Sequence, residues 1–206
     1  MMIRKISFFP LFIIFSLAGC SSSNRGDVFV DYFGKNLVVK KDNKTSKYRL
    51  NGPIKGEVNI FKNGDDVYVA SKSNSITKFS LKDNKMVWHK TIASVPMANF
   101  AFNDGKLFFT TINNGFYILN GETGKIEFIY SNANRMTVSV CIEPMFYKNL
   151  IIVTFNDGEI IIFDKNSRNI LKKITSKFLA KFSVALENNL LSVNDEKIDL
   201  DKIGKQ

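Results

Sequence analysis

The sequence predicts an all-β chain, a β-propeller assembled from four-stranded antiparallel blades. Three observations carry that expectation. Gly115 to Tyr130 (GFYILNGETGKIEFIY) spells strand, turn, strand. The same pattern returns twice at nearly constant spacing, with Trp88 equivalent to Phe128 and Asp164 equivalent to Asn120. The apolar runs are short, rich in β-branched and aromatic residues, and bounded by Asn, Asp and Gly, which excludes amphipathic helices. A repeat of roughly 40 residues made only of strands and turns is one propeller blade.

From the N-terminus, the first element is an address. Arg4 and Lys5 precede an apolar run, Ile6 to Ala18, that is too short to span a bilayer comfortably. It ends in Leu17-Ala18-Gly19-Cys20, which resembles the bacterial lipobox. The resemblance implies that residues 1–19 are a signal peptide of a Gram-negative bacterium. Cys20 would then become a lipidated, palmitate-bearing N-terminus with enough acyl chain for stable anchoring. Ser21, where Asp would favour inner-membrane retention, implies the outer membrane. Residues 20–27 are small and polar, a tether between lipid and fold.

Residues 28–206 are the partial propeller. Val28 to Val30 and Leu37 to Val39 are short apolar runs, Lys40 to Lys47 reads as an exposed turn, and Tyr48 to Leu50 as a further strand. Blade one is expected at about 58–92, with turns at Asn63-Gly64-Asp65, Asn74-Ser75 and Lys82-Asp83-Asn84. Blade two is expected at about 98–130, with turns at Asn103-Asp104-Gly105, Asn113-Asn114-Gly115 and Asn120 to Gly124. Gly124 supplies a positive φ at no steric cost, and Asn84 fills the same place in blade one with the next most tolerant residue. Blade three is expected at about 138–174, and it drifts: Arg168 replaces Gly124 and Lys172 replaces Phe128. Its turn is expected to use another geometry, with Asn166 taking the positive φ. A fourth, partial blade covers about 180–206, where Ile198, Leu200 and Ile203 are the apolar residues after Asn194.

The hairpin Asn120-Gly121-Glu122-Thr123-Gly124-Lys125 and the ending Asn84-Lys85-Met86-Val87-Trp88 resemble PQQ-like β-propeller repeats. The structural residues of that pattern are Asn84, Trp88, Asn120, Gly124, Phe128 and Asp164, and the resemblance implies that the aromatic packs between neighbouring blades. Together with Cys20, the repeats resemble the BamB family of outer-membrane assembly lipoproteins. That resemblance implies a periplasm-facing, non-catalytic scaffold that binds a BamA-like barrel insertase and assists outer-membrane protein assembly. It also implies an eight-bladed ring, whereas three full repeats and fragments are present. An open arc, a ring split between chains, a smaller closed ring and a truncated product all remain open.

The candidate chemistry is sparse. His89 lies in a strand beside Trp88 on the opposite face and has no second His to join it in a metal site. Cys141, flanked by Val140 and Ile142, reads as a buried thiol. Asp157-Gly158 and Asp164 are turn residues first. Of the formal net charge of +10, Arg4 and Lys5 fall in the signal segment, and most of the rest, with Lys-Asn runs at Lys40 to Lys47 and Lys82 to Lys85, reads as solvated surface, with no nucleic-acid motif. No catalytic residue, metal or PQQ is expected. The alternatives to a scaffold are a remnant of a PQQ-dependent dehydrogenase and a non-functional fragment.

Overall fold

The computed structural model describes residues 28–30, 36–41, 44–49, 58–131, 142–155, 157–175, 183–194 and 196–203. They form five antiparallel sheets in chain order. The first holds β1 (Val28–Val30), β2 (Asn36–Lys41) and β3 (Lys44–Arg49). Blade one holds β4 (Val58–Asn63), β5 (Asp66–Ser71), β6 (Ser75–Ser80) and β7 (Lys85–Thr91). Blade two holds β8 (Pro96–Asn103), β9 (Lys106–Thr111), β10 (Gly115–Asn120) and β11 (Ile126–Ser131). Blade three holds β12 (Met145–Tyr147), β13 (Leu150–Thr154), β14 (Glu159–Asp164) and β15 (Ile170–Thr175). The last sheet holds β16 (Val184–Glu187), β17 (Leu190–Val193) and β18 (Glu196–Asp199), followed by a single 3-10 turn at Leu200–Lys202. Within every sheet, strands pair with their chain neighbours, so each sheet is a meander. Among the described residues, no strand of the first sheet pairs with one of the last.

Local chemistry explains the meander. The first hairpin of blade two turns on Asp104 and Gly105, both with positive φ (47 and 71), the two-residue turn whose twist matches that of its strands. Lys148 and Asn188 take positive φ at the same point of the next two sheets. The outer strands of all three blades carry a register shift opposite the end of the third strand. In blade two, Ile118 pairs with Phe128 and Leu119 with Ile126, leaving Glu127 as the extra residue of a β-bulge. Simple alternation would put Ile126 and Phe128 on one face. The bulge instead sends Ile126 toward blade one and Phe128 toward blade three.

The second and third strands of each blade are buried on both faces, because each blade is sandwiched between two others. All six residues of β6 and all five of β13 are buried. Alternate residues therefore join different cores. Tyr68, Ile76 and Ala70 meet Phe100, Phe109, Tyr117 and Leu119 between blades one and two. Phe108, Phe116 and Ile118 meet Ile151, Ile161 and Phe163 between blades two and three. Leu37 and Val39 meet Val67, Val69 and Phe79 at one end of the stack, and Ile152, Ile160 and Ile162 meet Leu191, Val193 and Leu200 at the other. The first strands of blades one and two converge, with the Phe61 and Phe100 rings 6.4 Å apart.

One expectation is corrected here. Lys40 to Lys47 is not one long turn: β2 runs to Lys41 and β3 starts at Lys44, pairing Lys40 with Thr45 and Lys41 with Lys44. The ladder needs only backbone donors and acceptors, so it continues through lysines where one face is solvated. The polar C-terminal segment after Asn194, within the expected partial blade, forms the strand β18, in which Ile198 pairs with Leu191 and packs with Leu200 and Ile203 on the last core. The expected start of blade three at Val138 and residues 204–206 lie outside the described residues.

Phe163 is fully buried and touches the rings of Phe116, Phe128 and Tyr130 at 5.4, 5.9 and 5.3 Å. Phe163→Ala is expected to cost about 3–5 kcal/mol, read from the urea midpoint of the purified chain. Val87→Ala, at a 41% exposed position on the outer strand of blade one, is expected to cost less than about 0.5 kcal/mol in the same measurement.

Candidate functional site

The recurring outer hairpin is built by one side-chain oxygen. Asn120 Oδ1 accepts from the backbone N–H of Glu122 (3.1 Å) and of Thr123 (3.0 Å), and from Thr123 Oγ1 (3.0 Å). Gly124 N–H then donates to Asn120 O at 2.9 Å, with Gly124 at φ 68. Asp164 repeats this in blade three, accepting from Asn166 N, Ser167 N and Ser167 Oγ at 3.0, 2.7 and 2.9 Å. Arg168 N–H donates to Asp164 O at 2.9 Å, and Arg168 itself sits at φ 64. The expectation of a different turn with Asn166 at positive φ is therefore corrected. The carboxylate fixes the loop so firmly that Arg168 takes the left-handed backbone conformation, at a cost on the order of 1–3 kcal/mol. In blade one Ser80 Oγ accepts from Asp83 N at 3.0 Å, and Asn84 takes φ 54.

The hairpins lock consecutive blades. Trp88 of blade one donates its indole N–H to Gly121 O of blade two at 3.1 Å, and Tyr68 donates its hydroxyl to the same oxygen at 3.4 Å. The Trp88 ring lies flat against Gly124: a Cβ added there would sit 2.7 Å from the ring. Gly121 is equally confined, with a would-be Cβ 2.8 Å from both Gly105 O and the Phe102 ring. Burial pushes the Tyr68 phenol up, with Asp66 and Glu122 adding to the effect. Buried Lys78 pairs with Asp66 at 2.9 Å and lies 5.8 Å over the Tyr68 ring. Phe128 fills the Trp88 place against Phe163 of blade three. Lys172, at that place in blade three, is exposed.

Charge pairs bridge the same seams. Asp104 in blade two meets Lys165 in blade three at 2.6 Å. Lys148 in blade three meets Asp201 at 2.6 Å, and Tyr147 donates to the same Asp201 oxygen at 3.0 Å, beside a cleft of 340 Å³ that Leu200 and Ile203 also line. The bonds to Asp201 and Tyr147 hold the Lys148 ammonium above its ordinary range. Within blade two, Lys106 holds the Glu127 carboxyl below the usual carboxylate range, helped by Asn120 and by the charge of Arg168 from blade three.

Asp199 is a fourth copy of the hairpin start, which the repeat spacing had not exposed. It accepts from Asp201 N at 3.0 Å, and Leu200 N–H donates to Asn189 O at 2.8 Å, as Gly121 N–H does to Gly105 O and Lys165 N–H to Asn149 O. The signal was Ile198-Asp199-Leu200, which echoes Phe163-Asp164-Lys165 at a shorter offset than the other copies. The turn is not completed, since Ile203, at the Gly124 place, has φ −85.

Of the residues with chemical potential, His89 is exposed and bonds Thr77 Oγ1 through Nδ1 at 2.8 Å. Cys20 and Cys141 lie outside the described residues. Among the described residues, no three of His, Cys, Asp and Glu converge to hold a metal. The arrangement suits a rigid surface whose polar groups hold blades in register.

The comparisons with known proteins agree with this architecture. The family model described as outer membrane protein assembly factor BamB matches residues 33–177. No curated protein sequence matches the chain. BamB from Moraxella catarrhalis superposes with a TM-score of 0.63 at 14% identity, over 85% of this chain and 55% of that one. The computationally designed Ika8 protein superposes with a TM-score of 0.54 at 12% identity, over 85% of this chain and 57% of that one. A europium-containing methanol dehydrogenase reaches a TM-score of 0.47 at 20% identity, over 55% of this chain and 23% of that one. The chain thus spans little more than half the length of the BamB structure, and these likenesses speak to fold.

Two outcomes are expected of this site. Gly124→Ala should cost about 2 kcal/mol by denaturant unfolding, from the positive φ and from collision with Trp88. Trp88→Phe should recover the steric part, so that the double variant is less destabilised than the two losses added. The second concerns acid. The Ser167 backbone bond, with lesser help from the Ser167 hydroxyl and Asn166, holds the Asp164 carboxyl below its usual range. Its contribution is complete above the ordinary carboxylate pKa and disappears as pH falls through the lowered native value. Asp164→Asn, which keeps an oxygen for the turn as Asn120 does, should flatten the decline of the urea midpoint between neutral and strongly acidic pH.

Proposed function

Because the chain belongs to the family of the outer membrane protein assembly factor BamB, we propose that it is a lipid-anchored scaffold of the outer membrane. It faces the periplasm and assists the assembly of β-barrel proteins by binding a BamA-like insertase. The family match across residues 33–177 carries this reading. The lipobox-like Leu17-Ala18-Gly19-Cys20 supports the anchor, with Cys20 as the lipidated residue and residues 1–19 as the signal peptide. Binding rather than catalysis is the mode of action, and neither PQQ nor a metal takes part. The stacked blades favour this, since Asn120 and Asp164 each close their own hairpin turn and Trp88 bonds Gly121 across a seam.

Chain carrying a C-terminal tag, captured from crosslinked envelopes, is expected to bring down a barrel-assembly component. Recovery of envelope proteins without one would count against the partner. Labelled palmitate is expected to enter the chain and to be absent from Cys20→Ala; equal labelling of both would count against the anchor. Added PQQ and calcium are expected to elicit no dye-linked alcohol oxidation.

A further inference from the structure

Each sheet ends on a strand whose outer edge pairs with no other strand among the described residues. Such an edge is a row of backbone donors and acceptors, and lysines along it are the usual guard against strand addition. The last strands of four sheets carry that guard. β3 holds Lys44, Lys47 and Arg49, and β7 holds Lys85 and Lys90. β15 holds Lys172 and Lys173, and β18 holds Lys197 between Glu196 and Asp199. β11 holds no cation. Its one charged residue, Glu127, is turned back onto Lys106 at 2.6 Å. Lys125 stands in the turn, before the strand begins.

The register shows which groups this edge presents. Asn120 N–H donates to Lys125 O at 2.9 Å, so alternation along β10 also turns the amides of Ile118 and Phe116 toward β11. Those two residues stand opposite Phe128 and Tyr130. The N–H and C=O of Ile129 and Ser131, one place along, therefore point outward along the open edge. The Ile129 side chain is 52% exposed, the highest of the large exposed hydrophobic residues among those described. It stands opposite Tyr117, on the face toward blade one, while Tyr130 stands opposite Phe116, on the face toward blade three. On β15, Ile170 stands opposite Phe163, on the face toward blade two, and is 40% exposed. A strand laid on β11 would thus meet apolar surface on both of its faces.

We propose that the outer edge of β11 takes up an extended segment of another polypeptide as a further strand of blade two. Main-chain bonds to Ile129 and Ser131 supply the attachment, and the side chains beside Ile129 and Ile170 set the preference. The segment that fits is a β-former with apolar residues at those places and no proline at the bonded ones. A second copy of this chain fits less well. A stable dimer takes about 20–30 residues a side, whereas β11 offers six residues with the guarded strands β7 and β15 on either flank. This surface is read from the strands alone and does not rest on the lipid anchor or on the insertase proposed above.

The probe is a short fluorescent peptide of alternating Val and Thr with Glu at each end, titrated into the full chain in detergent. Saturable binding is expected by fluorescence anisotropy. The same peptide N-methylated along both edges cannot form the ladder and is expected to bind at least roughly tenfold more weakly. Ile129→Lys, which adds the missing guard, should weaken binding of the plain peptide roughly tenfold. Val87→Lys, on the already guarded β7, should change it by less than about threefold. No binding, equal binding of the two peptides, or equal effects of the two substitutions would overturn the inference. A dimer in sedimentation that Ile129→Lys converts to a monomer would overturn it too, since a second copy then covers the edge. Should Ile129→Lys fail to fold, hydrogen exchange on the unsubstituted chain decides. Slower exchange at Ile129 and Ser131 on adding the peptide, with β7 and β15 unchanged, supports strand addition; even or absent protection overturns it. Envelope capture without an assembly component would remove the proposed partner and leave this result standing, so the two readings fail separately.

Discussion

Every blade in this protein is buried on two faces, and that constraint shapes the rest. A sheet with one wet face can stand on a single core. Here the second and third strands send alternate side chains into two different cores, so that a blade is complete only between neighbours. Tyr68 faces blade two while Val67 and Val69 face the first sheet. Aromatic residues dominate the seam between blades two and three, where Phe163 meets Phe116 and Tyr130, and Phe146 meets Phe108, across the sheets. Because each core is shared by two sheets, stability is close to a sum of seams, as in other repeat architectures.

Two-sided burial is also what made the fold legible in the sequence. Continuous apolar runs such as Leu150-Ile151-Ile152-Val153, closed by Asn, Asp or Gly, cannot be amphipathic helices and give away central strands directly. The turn residues were equally readable, since Asn84 and Gly124 stand where positive φ is needed. Less legible were features in which backbone pairing overrides side-chain character. The polar residues of β3 and β18 extend ladders that hydrophobic patterning leaves unmarked. Arg168 shows the same limit at the hairpin: side-chain bonds to Asp164 outweigh the preference of a non-glycine residue for negative φ. Nor does spacing reveal the bulge at Glu127, which parts Ile126 from Phe128.

The candidate site was legible in its parts and not in its contacts. Trp88 and Gly124 could each be picked out, but nothing in their sequence positions shows that they touch each other across a seam. Their contact, and the convergence of Trp88 and Tyr68 on one carbonyl of Gly121, arises from stacking. The same holds for Lys165 and Asp104, distant in sequence and joined between blades. A scaffold benefits from such joints. They hold loops and rims in fixed relation without a closed pocket, so a partner meets a surface already organised and loses little entropy in ordering it.

The seams are not equivalent. Tryptophan of blade one rests on glycine of blade two, whereas phenylalanine of blade two stands toward a blade whose matching turn residue is arginine. A Trp88-bearing blade set before the Arg168 turn would meet a side chain where it now meets bare backbone. Bulk at the rim is thus a key that differs from joint to joint. A mismatched joint would be penalised by that collision, so shape as well as the connecting chain favours this order of blades.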